Sequence, residues 1–239
     1  MKNFDYKWIC QEFLSNEQQL STDPETAIKQ AKEMALYFKK GLSMVKQIVT
    51  TKGFTSQEEQ IIFFKNIKPK FLARLIFYNK VYRIEANAPI IGSKTIEKYF
   101  IAQQNKLQRD FFEHLHKSDF YNYYKSGRSD KDVKYFTLGN INILQGVNSF
   151  VFELDAEFST YYDYIIAKII SNELFYNYIK TRLENITNSK QPTIKHANQP
   201  HVYWSDTKAA LVELIYALYL NGSINKGNVE LQKIAFFFN

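Results

Sequence analysis

The sequence predicts an all-α fold: an N-terminal multi-helix domain followed by a C-terminal segment patterned like the start of a winged helix. Three observations carry this. Apolar residues recur at the 3.6-residue period of an amphipathic helix over several long stretches. Only eight Gly and five Pro occur among 239 residues, too few for the many turns of a sandwich or barrel. A single polar, Pro-containing stretch, residues 188–204, interrupts the pattern. It divides a helical domain, 1–187, from a segment at 205–239.

Residues 3–15 read as an amphipathic helix with Phe4, Trp8 and Phe13 on or near one face. Ser21-Thr22-Asp23-Pro24-Glu25 is a strong helix start: a capping residue, Pro in the first turn, then an acid near the positive end of the dipole. Ile28, Ala31, Ala35, Phe38, Leu42, Val45 and Val49 continue that helix to Gly53. Thr55-Ser56-Gln57-Glu58 opens the next by capping-box logic. Pro69 predicts a fresh helix start and a tight corner after Asn66, because Pro is tolerated in a first turn and not in an interior. Phe63, Phe64, Phe71 and Leu75 are the expected core of that corner. Lys65, Lys68 and Lys70 flank it, and their aliphatic stems could cover it while their charges stay in water. Contact with a polyanion is the functional alternative.

Ser93 reads as the cap of a helix from Lys94 to about His116, and a short aromatic helix follows from Phe120 to Lys125. Residues 126–150 hold three glycines and no helical period, and read as an irregular connection with one short extended pair. A last long helix is expected from Asp155 to about Ile186, with Phe158, Tyr161 or Tyr162, Ile165, Ile169, Leu174 or Phe175, and Ile179 on its buried face.

In the C-terminal segment, Ser205 or Asp206 can cap a helix carrying Leu211, Leu214, Ile215 and Leu218. Asn221-Gly222 ends it. Ser223-Ile224-Asn225 is long enough for one short strand, Lys226-Gly227 is a turn, and Asn228 can cap a second helix with Leu231, Ile234, Ala235 and Phe238. Helix, strand, helix is how a winged helix begins. The groove-reading helix and the wing are expected outside residues 205–239. Lys226 and Asn228, at the start of a motif helix, are the first candidates for contact with a DNA backbone. Lys208 and Lys233 are the next.

The chain carries a net charge of +7, unevenly spread. Residues 61–135 hold a surplus of eight positive charges and residues 190–239 a surplus of two. A basic region favours polyanions through counterion release, and equally describes solvated helix faces. Phe and Tyr are abundant, at 20 and 17. Aromatic core packing and base stacking are the two readings, of which core packing is preferred. Cys10 is the only cysteine, which excludes an intrachain disulfide and a thiolate metal cluster and fits a reducing cytoplasm. On an amphipathic helix it reads as a small buried hydrophobe. His114 and His116 lie two apart on a helix and cannot chelate one ion, and His196 and His201 have no paired acid nearby. No Gly-rich phosphate loop, nucleophile elbow, membrane span or signal peptide is present. No cofactor and no enzymatic activity are expected.

Two patches carry a resemblance. One is FFKNIKPKF, residues 63–71, with the following LARLIFYNKVYRIE. The other is Trp204-Ser205-Asp206-Thr207-Lys208 with Leu211 to Leu218 and Ile224-Asn225-Lys226-Gly227. Together and in this order they resemble the RteC family, regulatory proteins of Bacteroides conjugative transposons. The resemblance implies a helical N-terminal domain, a C-terminal winged helix, and promoter binding that controls excision or transfer of the element. The expected partner is double-stranded DNA, with a protein partner or self-association through the N-terminal domain. A helical adaptor that docks protein through the C-terminal segment is the rival reading.

Overall fold

The computed structural model describes residues 5–116, 118–141, 153–188 and 204–237. Among these residues every regular element is a helix and none is a strand. The chain divides into two compact units, Met1–Gln191 and Pro192–Asn239. The polar stretch at 188–204 lies almost wholly outside the described residues.

In the first unit α1 is Tyr6–Ser15, capped by the side chain of Asp5. Tyr6, Ile9 and Cys10 are buried. Trp8, expected on the buried face, is exposed, because α1 rests on α2 through the turn of helix that carries Ile9 and Cys10. α2, Pro24–Lys52, follows the sequence signals closely: Asp23 accepts from the Thr26 N–H, Pro24 sits in the first turn, and Gly53 ends the helix at φ 69°. Ser56 caps α3, Gln57–Ile62. The Glu59 carboxylate turns back to accept from the Thr55 backbone and hydroxyl at 2.8 and 2.6 Å.

Pro69 sits in the first turn of its helix, as expected, but the corner expected before it is absent. α3 runs through one π-helical turn, Phe63–Ile67, directly into α4, Lys68–Ala86. The Lys68 N–H bonds to the Phe63 carbonyl, five residues back. Pro has no N–H and its ring crowds the carbonyl four residues earlier, so a locally widened turn lets the helix continue past it. Phe63, Phe64 and Phe71 are fully buried as expected, whereas Leu75 is half-buried. The Phe63 ring packs edge-on against Tyr6 and Phe64, with centroids 5.0 Å away in each case, and tilted against Phe158. Such aromatic pairs add to the area they bury.

α4 lies between α2 and α8 (Tyr162–Asn188) and buries side chains all round its axis, from Phe71 and Phe77 to Val81 and Ile84. α5, Ser93–Phe111, packs on α8 and passes into a second π-helical turn, Phe112–His116. Its cap is Gly92 at φ 88°, not Ser93, which is the first helical residue. Ser118 caps α6, Asp119–Lys125. The described part of the next connection holds one short helix, α7, Asp132–Phe136. The expected extended pair falls partly in residues outside the description, and no strand forms in the remainder.

α8 is Tyr162–Asn188, starting seven residues later than expected. Phe158 and Tyr161 are buried, as the apolar spacing implies, but from a non-helical approach. Thr160 and Asp163 explain the late start. The Thr160 N–H donates to Asp163 Oδ1 at 2.8 Å and the Asp163 N–H donates to Thr160 Oγ1 at 3.3 Å, a reciprocal cap. Tyr161, between them, takes φ 65°.

In the second unit α9 is Lys208–Leu220 and α10 is Leu231–Phe237. The two helices pack through Ile215 and Ile234, both buried.

Candidate nucleic-acid interface

The three lysines flanking Pro69 separate into different environments. Lys70 is exposed. Lys65 Nζ reaches both oxygens of Asp132, at 2.8 and 2.9 Å, and that carboxylate also accepts from the Tyr123 hydroxyl at 2.7 Å. Lys68 is 3% exposed and pairs at 2.5 Å with Asp163, whose side chain is fully buried. Its ammonium also donates to the Phe158 carbonyl and lies 4.4 Å from the Phe158 ring centroid. Asp163 accepts further bonds from Ser159 Oγ, Thr160 N–H and Thr160 Oγ1. Neither Lys65 nor Lys68 is available to a polyanion, and Lys68 does not reach water.

A second buried pair joins α4 to α8. Arg182 holds Glu85 bidentately, Nε–Oε1 at 2.8 Å and Nη2–Oε2 at 3.1 Å. Tyr178 donates to Glu85 Oε1 at 2.6 Å, and the Arg182 guanidinium lies 5.1 Å from the Phe100 ring centroid. Two of the basic residues in the middle of the chain, Lys65 and Lys68, are thus held by carboxylates within the fold. Sequence reading gave no sign of these pairs, since the partners lie 67, 95 and 97 residues apart.

The candidate DNA contacts belong to the second unit. Thr207, not Ser205 or Asp206, caps α9: its side chain accepts from the Ala210 N–H at 3.2 Å. Asp206 accepts from the Thr207 N–H, and the Trp204 indole donates to the Thr207 carbonyl at 3.0 Å. α9 ends in a left-handed cap at Gly222, φ 61°. There the Ser223 N–H bonds to the Leu218 carbonyl and the Gly222 N–H to the Tyr219 carbonyl, the paired bonds of a Schellman motif.

The strand expected at Ser223–Asn225 does not form. Ile224 is extended, at φ −111° and ψ 132°. Asn225 and Lys226 then take φ 48° and 55°, and the Gly227 N–H bonds back to the Ile224 carbonyl at 3.0 Å. Positive φ at both central residues is the geometry of a type I′ turn. It folds the chain back so closely that a Cβ on Gly222 would lie 3.4 Å from Gly227 Cα. Asn228 does not cap α10: it sits at φ −94°, ψ 55°, and the first helical bonds run from Lys233 and Ile234 to the Glu230 carbonyl.

Lys208, Lys226, Asn228 and Lys233 are all exposed. Lys226 and Asn228 share the turn. Lys208 opens α9, about 20 Å of helix away from that turn at 1.5 Å per residue. Lys233 lies 3.8 Å from Glu230 on the surface of α10, a weak exposed pair. Among the described residues no group of His, Cys, Asp or Glu could hold a metal, and no helix is long and apolar enough to cross a membrane. His196 and His201 lie outside those residues.

Among the described residues these features define an all-helical fold of two units, the second holding two helices joined by a turn, with Lys208, Lys226 and Lys233 exposed. The chain belongs to the RteC protein family, which matches residues 62–239 and so spans both sequence patches noted above. Neither the curated proteins nor the solved structures gave a match to the chain.

Proposed function

We propose that the chain is a transcriptional regulator of a conjugative transposon, acting on excision or transfer genes by binding double-stranded promoter DNA. Family membership supports the regulatory role. The observation that carries the DNA contact is Lys226. A Lys held at φ 55°, ψ 33° is strained by about 1–3 kcal/mol, and such strain collects at functional sites. Here it displays an ammonium at the tip of a turn, beside Asn228. Lys226 and Asn228 would meet phosphate oxygens first. Lys208 and Lys233 would add to them, with Lys233 exchanging its exposed Glu230 for phosphate. Contacts of this kind position a protein on DNA and read no bases.

A gel-shift of the chain against DNA upstream of its own coding sequence and against random duplex, across a salt series, tests the reading. Backbone contacts alone give dissociation constants of about 10⁻⁴–10⁻⁶ M at physiological salt. Lys226→Ala should weaken both duplexes alike and reduce the log–log salt slope by about 0.9. No binding to either duplex at low salt refutes it.

A second reading, docking of a protein partner, is favoured by one observation. Val212, Tyr216, Tyr219 and Leu220 form an apolar stripe on α9 that is 50, 50, 42 and 78% exposed. Exposed apolar patches mark interaction surfaces when they are contiguous. Sedimentation of the wild type and Tyr216→Ser distinguishes the two: loss of an assembly without loss of DNA binding assigns the stripe to protein.

A further inference from the structure

α4, α5 and α8 line an open pocket of about 500 Å³ in the first unit, within the size range of small-molecule sites. Its walls separate by chemistry. Ile84, Leu107 and Phe175 supply apolar surface, and Lys80, Arg83 and Lys106 supply three cations against one carboxylate, Asp110.

Lys80 is the distinctive group. Its ammonium donates to the neutral Asn172 Oδ1 at 2.6 Å and lies 5.6 Å from the Phe175 ring centroid. Among the described residues no carboxylate comes within ion-pair distance of it. Burial, reinforced by the like charge of Lys168 on α8 and opposed by Asp110, lowers its pKa to about 8, so it still carries its proton at neutral pH. Lys68 and Arg182, the buried cations among the described residues of this unit, each hold a carboxylate. Arg83 and Lys106 at the rim form no ion pair among the described residues. A half-buried cation satisfied only by an amide, facing a pocket with two more unpaired cations, is arranged for a charge that arrives from outside.

We propose that this pocket binds a small organic dianion, a phosphate monoester or a dicarboxylate. Its charged head would rest on Lys80, Arg83 and Lys106, and its body along Ile84, Leu107 and Phe175. The net lining charge of two matches such a head. The site is separate from the turn at Lys226 and does not depend on DNA binding.

Calorimetric titration of the full chain with inorganic phosphate, phenyl phosphate and succinate, each at constant ionic strength, tests the proposal. Saturable binding of phenyl phosphate or succinate is expected, and the stronger of the two identifies the head group. Lys80→Met and Arg83→Gln should each weaken it at least tenfold, while Lys39→Gln on α2 leaves it unchanged. Lys80→Met keeps the aliphatic stem and removes a desolvated charge, so its thermal midpoint should not fall below wild type; loss of binding then reports the site and not unfolding. Absence of saturation by all three probes at millimolar concentration overturns the proposal. So does equal binding by Lys80→Met and wild type, or binding of random duplex DNA that Lys80→Met abolishes while no small anion binds.

Discussion

Removing the charge of Asp163 should destabilise the first unit more than any other single polar change. The carboxylate is fully buried and accepts from Lys68, Ser159 and Thr160. Asp163→Asn keeps the shape and deletes the counter-charge. The Lys68 ammonium, 3% exposed, is then left with the Phe158 carbonyl and the faces of Phe64 and Phe158. Breaking a buried pair from one side costs about 3–5 kcal/mol, because a charge stays in a low dielectric uncompensated. For a unit of this size 1 kcal/mol moves the midpoint about 2–4 °C, so a fall of about 6–20 °C is expected in a thermal melt. Lys68→Met should cost less, since Asp163 retains its three other donors. The double variant, Lys68→Met with Asp163→Asn, should lie within about 1 kcal/mol of wild type, as apolar replacements of buried pairs often do. The refuting results are a loss under about 1 kcal/mol for Asp163→Asn, or a double variant whose loss equals the sum of the singles.

Other perturbations follow from the same packing. Phe64→Ala should lower stability by about 3–5 kcal/mol in denaturant unfolding, because the ring is fully buried among Phe54, Phe63 and the Lys68 ammonium. Gly41→Ala should also destabilise. Its Cβ would lie 2.5 Å from Phe71 and 2.6 Å from Phe13, and overpacking of about 1–3 kcal/mol outweighs the roughly 1 kcal/mol that Ala gains in helix preference. Hydrogen bonds from the Thr55 hydroxyl, the Thr55 backbone and Tyr6, with Lys7 nearby, hold Glu59 down to about 2. A depressed carboxylate stabilises fully above its unfolded pKa, near 4.3, and that contribution disappears as pH falls through about 2. Glu59→Gln should therefore flatten the stability–pH curve between about 4.5 and 2, measured by urea midpoints.

α2 was readable from end to end because its signals are local: a capping Asp, a first-turn Pro, a terminal Gly and one apolar face. The errors occurred where the deciding partner is remote or the signal is conformational. Three lysines around a Pro read as solvated charges, and nothing nearby in sequence points to Asp132 or Asp163. The apolar spacing continues back through Phe158 and Tyr161, so it could not reveal that Thr160 and Asp163 close a cap between them. At 223–228 the composition allowed a strand and a cap. Two consecutive left-handed residues, one of them a Lys, produced a turn instead. All four predicted contact residues do lie on the surface. The pocket cations were legible only as surplus charge, because Lys80, Arg83 and Lys106 come together through the crossing of α4 and α5.

The π-helical turn at Phe63–Ile67 sets the angular phase between α3 and α4. Each residue advances a regular helix by about 100°, so a turn that holds one extra residue offsets everything before it from everything after it. In a regular helix Phe63, Phe64, Lys68 and Phe71, all buried, would spread over an arc of about 140°, and the extra residue in the turn narrows it. In a homologous chain one residue shorter at this point, α3 would be turned by more than a quarter circle relative to α4. Glu59 would swing away from the Tyr6 hydroxyl that now donates to it, and α1 would lose that tie to α3. The length of this short segment, more than its composition, fixes where the N-terminal helices can dock.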